Sequence, residues 1–225
     1  MKIKIIAKIL NKTGIDSKIT RNHLDLFIKN FQSNGLTLDI GCGNSPYIKY
    51  FPNRIGLDVK NGEGVDVVGT VYRLPFENEK FDNILCTEVL EHLCSPEEAI
   101  KELKRVLKIG GTLVLSTRFL FPLHDTPDDY YRFTKYGLRY LFRDWETIEL
   151  KEEVKTLETL SVLLQRICYQ CGGTVLKPFK LLIFIVAKIV PLFSFLIKKE
   201  YGNISKTTPE KNIMTSGYYL AAKKK

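Results

Sequence analysis

The sequence predicts an α/β domain built on a mostly parallel sheet. Three observations carry this: from residue 36 onward short apolar runs alternate with segments of helical spacing, a glycine loop directly follows the first run, and long connections separate successive runs.

Taken in order, residues 3–10 and 17–33 carry apolar groups at helical spacing. Ile19, Leu24, Phe27, Ile28 and Phe31 share one stripe and Gly35 supplies a stop, so two leading helices are expected. Strands are expected at 37–40, 54–57, 65–68, 81–86 and 112–116, and helices at 45–51, 88–93 and 96–108. Gly110 and Gly111 turn the last helix into the strand at 112. A loop at 118–133, dense in Pro, His, Asp and Tyr, exceeds the usual connection length. A helix at 134–142, a strand near 146–151 and a last strand at 217–223 follow, for seven strands in all.

Residues 179–197 are apolar almost throughout, broken by Lys180, Lys188 and Pro191. A spanning helix would put Lys188 near mid-bilayer at about 2.5–3.5 kcal/mol, and would strand the strand at 217–223 on the far side. One or two helices bent at Pro191, lying in a membrane interface or dipping into it, are expected instead. The organisation is then N-terminal helices at 1–35, a cofactor-binding core at 36–172, a hydrophobic basic helical insertion before the last strand at 173–212, and a last strand with a basic tail at 213–225.

With 225 residues, 44% of them apolar and 26% charged, the chain is neither disordered nor collagenous. The net charge of +9 is unevenly placed: 1–35 and 177–225 are basic, whereas 36–176 is slightly acidic. Basic ends rich in Ile, Leu and Phe point to an anionic membrane surface, and an acidic middle argues against nucleic acid as partner. Five Cys form no small-domain framework, and Lys4 and Lys8 interrupt the apolar start as no signal peptide would. A reducing cytoplasmic compartment, at the inner membrane face, is expected. Cys168 and Cys171 form a lone CxxC without the second pair that zinc needs.

Leu38-Asp-Ile-Gly-Cys-Gly-Asn44 follows a strand, and Asp58 ends the next one, where a carboxylate suits a ribose diol. Ser45 stands where a dinucleotide loop has its third glycine. Asp39, two residues before Gly41, suits a cationic amine better than a diphosphate. With Gly56-Leu-Asp58, Leu74-Pro-Phe76, Thr87-Glu-Val-Leu-Glu-His-Leu93 and the Glu102–Leu113 run, these motifs resemble class I S-adenosylmethionine-dependent methyltransferases of the type-11 kind over about half the chain. The resemblance implies a Rossmann-like fold and S-adenosyl-L-methionine as cofactor. It implies Asp39, Gly41 and Gly43 against the methionine and sugar, Asp58 on the ribose, Val59 beside adenine, and Thr70, Val71 and Tyr72 near its amino group. Thr87 and Glu88 also belong to the implied cofactor site. Thr70 departs from the Asp such families often have there.

The loop Pro122–Thr134 resembles that of type-11 members associated with cell-surface polysaccharide synthesis, which makes His124 the expected base and Asp125 its orienter. Helical spacing would place Glu88, Glu91 and His92 on one surface with His124 as a fourth metal ligand. A structural and cofactor role for these side chains is the expectation instead, and no metal is assigned. The expected function is O-methylation of a lipid-linked or cell-surface glycan at the membrane. The alternatives are a quinone-precursor methyltransferase, a non-catalytic cofactor-binding partner protein and, more weakly, an RNA methyltransferase.

Overall fold

The computed structural model describes residues 19–171 and 177–225, so the expected helix at 3–10 lies outside the described residues. Strands β1 (Thr37–Ile40), β2 (Arg54–Asp58), β3 (Val67–Val68), β4 (Phe81–Thr87), β5 (Leu107–Arg118), β6 (Trp145–Glu152) and β9 (Gly217–Lys224) form one seven-stranded sheet in the order β3-β2-β1-β4-β5-β9-β6. Every pairing from β3 to β5 is parallel, while β9 runs antiparallel between β5 and β6. The strand order reverses between β1 and β4, and a crevice forms at their carboxyl ends. The expected fold, a mostly parallel Rossmann-like sheet of the methyltransferase kind, is the one observed.

The helices are α1 (Ile19–Lys29), α2 (Pro96–Val106), α3 (Lys135–Leu141), α4 (Thr156–Gln170) and α5 (Lys177–Ile189). One sheet face buries Leu38, Phe81, Leu103 and Phe142 in a large core. On the other face, Leu24, Phe27 and Ile28 of α1 meet Leu85, Val114 and Tyr219, with Phe27 stacked on Tyr219 at 5.0 Å.

Four local expectations change. Residues 45–51 form successive turns rather than a helix, because Ser45 starts at φ 47° and Tyr47 and Phe51 are both drawn into the core. Of 88–93 only a 3-10 turn, Leu90–His92, is helical, since Glu88 sits at φ 57°. Helix α2 stops at Val106, and β5 begins at once. Phe81 pairs with Leu107 and Asn83 with Thr112, so residues 108–111 bulge out through Gly110 at φ 74°. The insertion is not wholly helical either: after α5 and a 3-10 segment, Val190–Leu196, comes a hairpin of β7 (Glu200–Asn203) and β8 (Lys206–Thr208).

Helix α5 packs on α4 through Ala187, whose carbonyl accepts from Ser161 Oγ, and through Cys168 Sγ, 3.5 Å from Lys180 O. Cys168 thus serves helix packing. The helical stretch Pro178–Leu196 is long and apolar enough to cross a membrane by length and composition, and it changes from α to 3-10 around Pro191. Leu181, Leu182, Leu192 and Phe195 on it are exposed.

Candidate active site

The glycine loop leaves β1 where the chain must turn sharply. Gly41 sits at φ 64° and a Cβ there would come within 2.5 Å of Val89 Cγ2, so no other residue fits. Gly41 N and Cys42 N both donate to Leu57 O, at 2.8 and 3.3 Å. Gly43, at φ 48°, has open space where a Cβ would stand, and its N–H donates to Asp58 Oδ2 at 3.1 Å. The other Asp58 oxygen accepts from Lys60 N at 3.1 Å, so this carboxylate fixes the loop.

A third glycine completes the turn from an unforeseen place. The Gly64 carbonyl accepts from Cys42 Sγ at 3.3 Å, Ser45 Oγ at 3.2 Å and Arg54 Nη2 at 2.7 Å. A Cβ on Gly64 would lie 2.6 Å from Gly43 O. The only signal in the sequence was Gly62-Glu-Gly64 shortly after Asp58.

A cavity of about 500 Å³ lies at the carboxyl ends of β1 and β4, lined by Asp39, Gly41, Gly43, Tyr47, Thr87 and Glu88 among others. Five of the expected cofactor residues therefore meet here, and Asp58 reaches the site through Gly43. Asp39 is buried, its Oδ2 has no hydrogen-bond partner among the described residues, and burial pushes its carboxyl up to about 6 against the opposing pull of Arg54. An orphaned buried carboxylate oxygen fits a ligand that brings an ammonium group. The remaining expected residues stand outside this cavity. Val59 is exposed, Val71 is in the core, Thr70 Oγ1 accepts from Tyr72 N at 3.4 Å, and Tyr72 Oη contacts Cys94 Sγ at 3.4 Å and Ser95 N at 3.3 Å.

Glu88 and Arg21 also line a second cavity, of about 340 Å³, with His92, Arg118, His124 and Arg166. Arg118 pairs with Glu88 on one side and with Glu153 at 2.8 Å on the other, and Ser116 Oγ donates to Glu88 Oε1 at 2.6 Å. Burial pushes the Glu88 carboxyl up, and the Arg118 guanidinium beside it pulls it back down. Sequence reasoning missed Arg21, Arg118 and Arg166. Position at the end of β5 could have flagged Arg118, whereas Arg21 and Arg166 arrive from α1 and α4 with no local signal.

In the long loop the expected pair is rearranged. His124 is held by Asp129, not Asp125: its backbone N–H donates to Asp129 Oδ2 at 2.9 Å, and its Nδ1 lies 3.4 Å from the same oxygen. Arg132 forks onto Asp129 at 2.6 Å to each oxygen and holds the Asp129 carboxyl far below the carboxylate range. Asp125 is 82% exposed and lies 4.0 Å from His92 Nε2 instead. Asp125 adopts φ 51°, and its carboxylate makes no hydrogen bond to His124 among the described residues. Burial lowers the His124 pKa and favours its neutral ring.

The segment 38–115, which holds the glycine loop, Asp58 and the Glu88 turn, matches the family model of the methyltransferase domain. The tRNA U34 carboxymethyltransferase of Campylobacter hominis is 36% identical over 102 residues, covering 36% of this chain and 35% of that protein. The tRNA (carboxymethyluridine(34)-5-O)-methyltransferase of Arabidopsis thaliana is 32% identical over 103 residues, covering 40% and 26%. The chain thus spans about a third or less of these two relatives. A solved Burkholderia thailandensis 1,6-didemethyltoxoflavin-N1-methyltransferase with bound S-adenosylhomocysteine superposes with a TM-score of 0.54 at 14% identity, over 93% of this chain and 79% of that one, which bears on the fold.

The methyltransferase domain and the orphaned Asp39 oxygen support an enzyme that uses S-adenosylmethionine. The expected partners are overturned. A membrane glycan-lipid acceptor at an anionic membrane surface, with nucleic acid excluded, conflicts with relatives named for tRNA. Net charge along the chain conceals local placement: Arg166 of the net-acidic stretch 36–176 and Arg21 of the basic start line the same second cavity.

Proposed function

We propose that this chain is an S-adenosylmethionine-dependent methyltransferase whose acceptor is RNA. The observation that carries the reading is the pair of cavities that share Glu88 and Arg21 at the sheet's carboxyl edge, one walled by the glycine loop and the other by arginines and histidines. The cofactor supplies a methyl group already activated for in-line displacement. Asp39 binds its ammonium, Gly43 and Asp58 shape the sugar's seat, and the ion pair of Glu88 with Arg118 holds the shared wall in place. Arg21 and Arg166 suit the phosphates of a nucleotide entering the second cavity. Tyr130 and Tyr131, whose backbone N–H groups donate to Glu91 O at 2.9 and 3.1 Å, keep exposed rings beside that turn, where a base out of its stack finds an aromatic partner. The names of the tRNA-modifying relatives support the same acceptor.

Isothermal titration with S-adenosylmethionine tests the cofactor half: binding is expected for the wild type and lost in Asp58→Ala. Transfer of labelled methyl to total tRNA tests the acceptor half, with RNA affinity falling steeply as salt rises. No cofactor binding to folded protein would refute the enzyme, and label that enters only non-RNA fractions would refute the acceptor.

A further inference from the structure

We propose that Glu91, His92 and His124 form a site for a divalent transition-metal ion, with two imidazoles and one carboxylate as ligands. One ligand atom from each residue lies within 4.8 Å of the other two. Around a tetrahedral ion with metal–ligand distances of about 2.0–2.1 Å, ligand atoms stand roughly 3.4 Å apart. A contraction of up to about 1.4 Å, taken up by side-chain rotations, therefore closes the set.

Each side chain is prepared for that role by its other contacts. His92 Nδ1 lies 2.6 Å from Asp128 O, and His124 Nδ1 lies 3.2 Å from Pro122 O and 3.4 Å from Asp129 Oδ2. A proton held on Nδ1 by those oxygens leaves the Nε2 lone pair of both rings free to ligate, which is the outer-shell arrangement that metal-binding histidines have. The two rings pack edge to face at 4.8 Å. Glu91 is fully buried; its Oε2 accepts from Thr117 Oγ1 at 2.8 Å, while its Oε1 is buried with no partner among the described residues. A buried carboxylate oxygen without a donor is costly unless something cationic meets it. The 3-10 turn and the long loop are tied together by Tyr130 and Tyr131 donating to Glu91 O, so the ligands sit on one braced unit.

Glu88 is not part of the set, because Arg118 and Ser116 occupy its carboxylate. Two nitrogens with one carboxylate favour zinc, iron, cobalt or manganese over magnesium or calcium, which prefer oxygen. Because His92 and His124 also line the second cavity, the open position of such an ion is directed to where the proposed acceptor enters. There it would ease proton loss from an acceptor oxygen, with His124 a ligand rather than a base. This last role rests on the methyltransferase reading, whereas the site itself does not.

The test uses the full chain, stripped with a chelator, and titrated with Co²⁺ followed by visible absorption and with Zn²⁺ by calorimetry. One ion per chain is expected, with a Co²⁺ spectrum of low coordination number. His92→Ala, His124→Ala and Glu91→Gln should each weaken it by more than the ~10–100-fold that loss of a supporting contact costs, whereas Glu88→Gln should leave it in place. Thermal melting and S-adenosylmethionine titration on the same samples show that each variant is folded. If Glu91→Gln does not fold, the two half-buried histidine variants decide. Folded wild type without a Co²⁺ spectrum, or equal binding by both histidine variants, would overturn the site. Loss of cofactor binding with the metal retained would sink the enzyme reading alone.

Discussion

Replacing Asp39 by Asn should make the cofactor-free protein more stable at neutral pH, although it removes a group the site depends on. Asp39 is 2% exposed, and its pKa rises from 3.8 to about 6 because burial disfavours its charge. The folded state thus holds this proton more tightly than the unfolded chain. The associated stability is present below about pH 4 and lost as pH rises through about 6, and a shift of roughly two units corresponds to about 3 kcal/mol. Asn carries no charge at any pH, so it should recover up to that amount at pH 7, raising the melting temperature by about 6–12 °C for a chain of this size. The gain should vanish towards pH 4. Melting of both proteins between pH 4 and 8, with and without S-adenosylmethionine, provides the assay. The cofactor should stabilise the wild type far more than the variant, and wild-type affinity should decline below about pH 6 as Asp39 takes up its proton. An Asn variant no more stable than wild type at pH 7, or a gain that does not change with pH, would refute the argument that Asp39 is an uncompensated buried charge awaiting a cation.

Three further outcomes are expected. Arg118→Ala leaves Glu88 and Glu153 facing each other without their shared cation and should cost about 3–5 kcal/mol in denaturant unfolding. Gly64→Ala places a Cβ 2.6 Å from Gly43 O and should weaken cofactor binding in titration while the sheet, monitored by far-UV circular dichroism, stays formed. Asp129→Asn loosens the Arg132 fork and the His124 backbone contact, so amide exchange across 122–133 should quicken, with a stability loss of about 1–3 kcal/mol.

The parts of the fold that were legible in the sequence are those encoded by neighbours. The strands β1, β2, β4 and β9 and the glycine loop follow from short apolar runs and from glycines that must adopt positive φ. What was not legible depends on residues far apart in the chain. The Arg118–Glu153 pair spans 35 residues, and the Gly64 carbonyl meets the glycine loop 19–22 residues away. Asp125 was the wrong partner for His124 because sequence adjacency is a poor guide where a residue takes φ 51°. Asp129, three residues before Arg132, carried the better signal, an acid within one turn of an arginine. The bulge at 108–111 was hidden because Gly110-Gly111 marks a turn equally well before a strand or inside one.

Between β6 and β9 the chain makes a long excursion through α4, α5 and the β7–β8 hairpin, yet it leaves and re-enters the sheet at adjacent places. Glu152 pairs with Tyr218, and Glu153 N donates to Gly217 O at 2.9 Å. Antiparallel neighbours of this kind can be joined by a few residues, so the pairing of β6 with β9 does not require an excursion of this length. The excursion reaches the second cavity through Arg166 but contributes nothing to the wall around Asp39 and the glycine loop. The cavity at the glycine loop is thereby built wholly from chain outside the excursion, whereas the second cavity takes one arginine from it. A change confined to the excursion can therefore reshape one wall of the second cavity and leave the lining of the first as it is.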